Sequence, residues 1–377
     1  MALDWLVRDN ALKDHDVFGN ELFGTKAPCT MYEKKPLVDP SGKEVKGLYT
    51  VWITLNNPAQ FNSYTTQMVK ANIAGFTRAS MDRSVVATIF TAVGDRAFCT
   101  GGNVKEYAEY YAKRQREYQD YISLFSRQID AILSCNSPVI CRANGMRLAG
   151  GQELGLTTDF TIASDLATFG QIGTRHGSTP DGGSTDFLPW ALTMENAMWQ
   201  CVSNEQWSAY KMFSKGLITK AVPVKKKDGK WIRNPLVITD RYIENGEIVY
   251  GESKTGKEAE EGKALLKELP TDFELLDKAV NEVVWMFANL YPACLMKSIQ
   301  AIRQKKRFFW ELNKGTHPYW LGANMLGEAY LGMTAFNASD ITGQRDIDII
   351  KYRQLLAEGR ALDDQLAEEV LPKPKKK

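Results

Sequence analysis

At 377 residues and 44% hydrophobic content, the chain can bury a large core in one big domain or two smaller ones. Lys and Arg total 47 against 45 acidic residues, which excludes a global basic field for nucleic acid or membrane and leaves any anionic ligand to local features. The six cysteines lack C-x-x-C spacing and no run of about 18 apolar residues occurs, so neither a zinc site, a disulfide frame nor a membrane span is expected.

Residues 1–45 are mixed in character and end in the turn-rich Asp39-Pro40-Ser41-Gly42, which predicts an N-terminal extension ahead of a core over 46–270. Gly47 to Leu55 is a strand by its β-branched and aromatic content, closed by Asn57-Pro58. A helix from about Thr65 to Met81 and a strand from Ser84 to Ala92 follow, leading into Ala97-Phe-Cys-Thr-Gly-Gly-Asn-Val-Lys105. Val104 to Leu133 is charged and helically periodic; its Tyr107, Tyr110, Tyr111, Tyr118 and Tyr121 are read as packing residues.

Pro138 to Ile140 is a short buried strand, and the small residues Ala149-Gly150-Gly151 mark where the next helix begins. The first N–H groups of a helix are unpaired and lie at the positive end of its dipole, so this junction suits an oxyanion. Gly101-Gly102 supplies a second strand-to-glycine junction upstream. The N–H groups of Gly102 and Gly150 are therefore read as two donors converging on one oxygen, fixed before substrate arrives.

Phe160 to Ala163 and Ala167 to Gln171 are further short strands. Residues 225–268 look inserted, with hairpin turn signals at Lys227-Asp228-Gly229 and at Glu244-Asn245-Gly246-Glu247. Gly251 to Lys257 imitates a phosphate-binding loop, but Glu258 stands where a Ser or Thr must reach magnesium, so nucleotide binding is not expected. Residues 271–377 are helical in pattern, ending in a solvated tail from Leu371 to Lys377.

The paired junctions resemble the two motifs of the crotonase (enoyl-CoA hydratase/isomerase) superfamily, A-F-C-A-G-A-D-[IL]-K-E and N-G-x-A-x-G-G-G-x-E-L, in the same order. Further resemblances are Asn57-Pro58-Ala59-Gln60-Phe61-Asn62-Ser63, Ala167-Thr-Phe-Gly-Gln171 and Met212 to Val224. The resemblance implies an α/β fold, a spiral of repeated ββα units with a C-terminal helical trimerisation region, assembling as a homotrimer or a dimer of trimers. It also implies an acyl-CoA substrate with no separate cofactor, no metal, and neither a nucleic-acid nor a membrane partner. The start of the chain lacks a secretory leader pattern, so a cytoplasmic setting is expected.

Glu153 matches the position of one of the family's two catalytic glutamates, although a first-turn carboxylate also offsets the helix dipole. The second glutamate position is taken by Gly173, which is read as leaving room for a bulky acyl group. Asp181 falls where naphthoate synthases and chlorobenzoyl-CoA dehalogenases carry an active aspartate. His176 lies between, and a group titrating near neutrality can share proton transfer with Asp181. By resemblance, Ala97, Val104 and Lys105 are candidates for CoA contact, while Gln60 replaces a more common basic residue.

The combination of Gly173, Asp181, the insertion and the length resembles a ring-opening branch of the family. That branch adds water to an enone β to a thioester and then hydrolyses the ring C–C bond beside a ketone. The alternatives are a simple enoyl-CoA hydratase or isomerase on a linear or cyclic acyl group, covalent catalysis by Asp181, and a crotonase-fold binding protein.

Overall fold

The computed structural model describes Ala11 and residues 21–375. Residues 1–10 and 12–20 of the expected N-terminal extension, including His15, lie outside the described residues, and the rest departs from expectation. The turn at Asp39 closes a hairpin between β1 (Cys29–Val38) and β2 (Glu44–Asn56), which pair antiparallel from Cys29 opposite Asn56 to Val38 opposite Glu44. The Asp39 carboxylate accepts the N–H groups of Ser41 at 2.8 Å and Lys43 at 3.0 Å, and Gly42 takes φ +86°. Glu33, Lys34, Lys35 and Pro36 break the apolar alternation of β1 because it is an edge strand, where charge and proline discourage further pairing.

Eight more strands build the core: β3 (Val85–Ala92), β4 (Ala97–Cys99), β5 (Val139–Ala143), β6 (Met146–Leu148), β7 (Phe160–Ser164), β8 (Thr168–Gly170), β9 (Trp207–Ser208) and β10 (Lys220–Val222). The large sheet has the order β1-β2-β3-β5-β7-β10 and is parallel beyond its first pair. The small sheet has the order β4-β6-β8-β9. Each successive pair, β3 with β4, β5 with β6, and β7 with β8, gives its first strand to the large sheet and its second to the small one. This is the expected spiral of ββα units.

The parallel strands read as nearly continuous apolar runs because both faces are covered. On one face Phe90 joins Val51, Met68, Phe76 and Ile129, drawn from β2 and the helices Thr66–Met81 and Gln115–Leu133. On the other, Ile89 and Ile140 pack with Leu276 and Val280 of the helix Glu274–Ala288.

The single helix expected over 104–133 is broken. A short turn, Val104–Glu106, widens into a π turn over Tyr107–Tyr111, Lys113 takes φ +58°, and the helix restarts at Gln115. Periodicity cannot signal that break, because the wide turn is fixed by ring packing among Tyr107, Tyr111, Tyr118 and Tyr121. Residues 225–268 hold both expected hairpins, with Asp228-Gly229 and Asn245-Gly246 all at positive φ, but Gly256–Glu268 is a helix. The tail is also less solvated than expected. Leu371 is buried with Tyr330, Leu331, Tyr352 and Leu355, and the last two residues lie outside the described ones. Among the described residues no helix is long and apolar enough to cross a membrane.

One C-terminal helix, Pro292–Asn313, ties this region to the core. Arg303 is buried and donates from Nε at 2.8 Å and Nη2 at 2.6 Å to the two oxygens of buried Asp159, just beyond the helix Gly150–Thr157. Arg303 also donates to the carbonyls of Leu133, Cys135 and Ser137. One turn on, Lys306 Nζ donates to the carbonyls of Leu156, Thr157 and Thr158 at 2.9, 3.4 and 2.5 Å, capping that short helix. Removing one partner of a buried pair leaves a bare charge. Arg303→Met is therefore expected to lower unfolding free energy by about 3–5 kcal/mol, read from urea midpoints, against less than about 1 kcal/mol for the exposed pair variant Arg116→Met.

Candidate active site

Three local devices bring the two glycine junctions together. Asn62, at φ +55°, donates through Nδ2 to the carbonyls of Val93 (2.9 Å) and Ala97 (2.8 Å), while Asn144 donates to those of Gly94 (2.7 Å) and Ala97 (3.2 Å). The backbone of Tyr64 forms a parallel bridge at Gly102: its N–H bonds the carbonyl of Gly101, and the N–H of Asn103 bonds its carbonyl. That pattern uses the residues on either side and leaves the N–H of Gly102 outside the pairing. A Cβ at Gly101 would lie 3.1 Å from the nitrogen of Gly150, so the first turn abuts the start of the helix Gly150–Thr157.

Neither glycine tolerates a side chain. A Cβ on Gly102 would sit 1.6 Å from the hydroxyl of Tyr107, and one on Gly150 would sit 1.9 Å from the hydroxyl of Tyr64. Ala149, immediately before the helix, is held at φ +50°, ψ −128°, a conformation that favours glycine. Its N–H donates to Gly170 and its carbonyl accepts from Gln152 and Glu153, which fixes this strained turn from both sides.

Behind the turn lies Arg147, where the family motif has alanine. It is fully buried, donating from Nε to Gln152 at 2.7 Å and from Nη1 to Thr161 at 2.8 Å, with its guanidinium 4.7 Å from the centre of the Phe169 ring. Burial pulls its affinity for a proton down. Gly155 is small because a Cβ there would meet Arg147 Cδ at 2.4 Å.

Glu153 lies one turn into the helix, 6% exposed. Its Oε1 accepts the N–H of Gly182 at 2.8 Å. Burial first, and the charge of Asp181 besides, raise its carboxyl well above the ordinary range, against the bond from Gly182. Asp181 precedes Gly182, so the loop that anchors Glu153 also carries Asp181 to the same chamber.

Gly173 lines the chamber, with the loop that follows it packed close by. A Cβ there would meet the carbonyl oxygen of Ser178 at 3.0 Å and the nitrogen of Thr179 at 3.3 Å. The loop that carries Asp181 therefore runs directly against Gly173. His176 is the link between the inner chamber and an outer groove. Its Nδ1 is buried without a partner, its ring packs on Phe336 at 5.0 Å, and burial lowers its pKa below 6.5.

The inner chamber, about 110 Å³, is walled by Tyr64, Tyr107, Tyr118, Tyr121, Phe125 and Leu321, with Glu153 and Asp181 as its acids. Of the tyrosines read in the sequence as packing, Tyr107, Tyr118 and Tyr121 thus also form the chamber wall. The only signal for this was their density, because a helical stripe does not say whether it faces a core or a cavity. The outer groove runs past Gln60, Lys105, Arg175 and Arg345 and meets the chamber at Thr100, Gly102, Val104 and His176. Of the candidates for CoA contact, Val104 lines both spaces and Lys105 the outer groove. Ala97 does not line either space; it is buried and its carbonyl is taken by Asn62 and Asn144.

The C-terminal region, read in the sequence only as an assembly surface, closes this site within its own chain. Leu321 and Met333 line the chamber, and Asn324 donates to the carbonyl of Gly177 at 2.6 Å. A Cβ on Gly177 would meet the carbonyl of Glu328, and one on Gly332 that of His176. Arg175 binds Asp346 through two nitrogens, at 3.2 and 2.7 Å.

Residues 49–254 match the family model described as enoyl-CoA hydratase/isomerase. Over 99% of both chains, the sequence is 59% identical to a Syntrophus aciditrophicus (strain SB) protein named 6-oxocyclohex-1-ene-1-carbonyl-CoA hydrolase. A Thauera aromatica protein of the same name is 47% identical over 97% of each chain. Among solved structures, an enoyl-CoA hydratase/isomerase from Xanthobacter autotrophicus Py2 superposes with a TM-score of 0.59 at 18% identity, over 84% of this chain and 94% of that one. In its ordered glycine motifs, its sheet topology and these similarities, the chain belongs to the enoyl-CoA hydratase/isomerase (crotonase) family.

Proposed function

We propose that this protein is a ring-opening hydrolase acting on 6-oxocyclohex-1-ene-1-carbonyl-CoA and releasing 3-hydroxypimelyl-CoA. The observation that carries this reading is full-length similarity at 59% identity to a protein of that name, together with a closed chamber holding Glu153, Asp181 and His176 beside two glycine N–H donors. The outer groove, with Lys105, Arg175 and Arg345, suits the phosphates of CoA, and the inner chamber suits the cyclic acyl group. The two steps draw only on water and the chain's own residues.

In the first step water adds to the ring carbon β to the thioester, and the electrons pass to the thioester oxygen at the N–H groups of Gly102 and Gly150. A second water then attacks the ring ketone, and the bond between ketone carbon and α-carbon breaks, forming a thioester enolate at the same pair of donors. Glu153, whose burial keeps it protonated to higher pH than an ordinary carboxyl, returns a proton to the α-carbon. Asp181 and neutral His176 take protons from the attacking waters.

Mass spectrometry of the product formed in oxygen-18 water is expected to show two waters gained and label in a free carboxylate. One water and an intact ring would reduce the protein to a hydratase. Glu153→Gln is expected to lower kcat by about 10²–10⁴-fold, the usual worth of a positioned acid or base. Since the neutral form of His176 is the active one and its pKa is lowered, the acidic limb of kcat/KM should fall below pH 6.5 and be lost in His176→Asn. A limb centred above 6.5 would remove His176 from this role.

We also infer self-association. Trp190, Met194, Met198, Trp199, Phe308 and Leu312 are large apolar side chains left exposed on helices, with Trp190 packed on Phe309 at 5.5 Å. Large exposed apolar patches mark interaction surfaces. Sedimentation is expected to give a trimer or hexamer for the intact protein and smaller species for Met198→Glu combined with Phe308→Glu.

A further inference from the structure

The hydroxyl of Tyr64 has no task in the steps above, yet its placement is unusually constrained. Tyr64 is 3% exposed, its ring stacks on Phe125 at 5.4 Å, and its backbone is bonded on both sides of Gly102. Its side chain crosses to the other junction and ends 1.9 Å from where a Cβ of Gly150 would stand. One residue therefore spans both halves of the donor pair. Among the described residues its hydroxyl makes no hydrogen bond, whereas that of Tyr107, beside Gly102, is shared with Tyr121 at 2.7 Å. Burial raises the Tyr64 phenol well above its ordinary pKa, so it serves as a donor and not as a base.

The substrate class proposed above has a matching need. Its ring ketone and its thioester are attached to the same ring carbon, so when both carbonyls turn to one side their oxygens lie next to each other. A thioester oxygen held by Gly102 and Gly150 sets the ketone oxygen beside the hydroxyl at Gly150.

We propose that Tyr64 is the hydrogen-bond donor to the ring ketone, distinguishing keto-acyl substrates from ketone-free ones and holding the alkoxide formed when water attacks. This rests on the ring-opening reading. In the step, the attacking water gives its proton to the Asp181 and His176 pair and its oxygen bonds to the ketone carbon. The ketone oxygen becomes an alkoxide bonded by the Tyr64 hydroxyl, which keeps its own proton. Collapse of the alkoxide breaks the bond to the α-carbon, sends that electron pair to the thioester oxygen, and leaves a carboxylic acid.

The test compares kcat/KM for 6-oxocyclohex-1-ene-1-carbonyl-CoA and for cyclohex-1-ene-1-carbonyl-CoA, in the wild type, Tyr64→Phe and Tyr107→Phe. Tyr64→Phe removes one oxygen and keeps the stacked ring. The preference for the keto substrate is expected to fall by about tenfold or more, since one oxyanion donor commonly carries on the order of 10²-fold. A preference held within about threefold, with both rates falling together, would make Tyr64 a spacer for the glycine turns and overturn the proposal. Loss of preference in Tyr107→Phe alone would also overturn it, placing the ketone at Gly102. A wild type that hydrates both substrates and opens neither ring would instead overturn the ring-opening reading, while the preference ratio still tests Tyr64.

Discussion

Everything in the site depends on a short helix being held at both ends. Gly150–Thr157 is only 8 residues long and could not persist alone, because so short a helix spends nearly all its hydrogen-bonding groups on its termini. Its last carbonyls are taken by Lys306, and Asp159 beyond them is clamped by Arg303, both from a helix some 150 residues away in sequence. With the C-terminal end fixed, the free N–H at Gly150 keeps one direction, and the helix places Glu153 one turn below it. Burial of Lys306 lowers its pKa to about 8, a cost offset by its three carbonyl partners.

The chamber is expensive to build in the same sense. It holds Glu153 against its charged form, leaves Nδ1 of His176 without a partner, and strains Ala149 into a glycine conformation. Each of these is tolerated because the surroundings over-determine it: Gly182 binds Glu153, the helix Glu328–Asn337 packs on His176, and Gly170 and Gln171 hold Ala149. The result is a pre-set arrangement in which donors and acids do not need to move when charge develops.

The C-terminal region has two faces with different work. Its inward face closes the chamber through Leu321 and Met333 and braces the loop bearing His176 and Asp181. Its outward face leaves Phe308, Leu312 and Trp320 largely exposed. The helices that close the site thus also carry large exposed apolar side chains.

The sequence alone determined the spiral core, the two glycine junctions and the position of Glu153. The junctions rest on local rules, glycine where backbone must come close and a helix start after small residues, whereas the spiral and the place of Glu153 follow from the resemblance of the ordered motifs to the crotonase family. It also gave both hairpin turns, since Asp-Gly and Asn-Gly specify positive φ at two successive residues. Only the tertiary structure decided the rest. β1 was concealed by the charges that protect an edge. The break after Tyr111 is set by ring packing across residues far apart on the helix. The loop bearing Asp181 packs against Gly173, and Tyr64 reaches Gly150 only because its backbone is stitched to Gly102. Such contacts depend on which surfaces meet, and spacing along a chain records that only where the partners are neighbours.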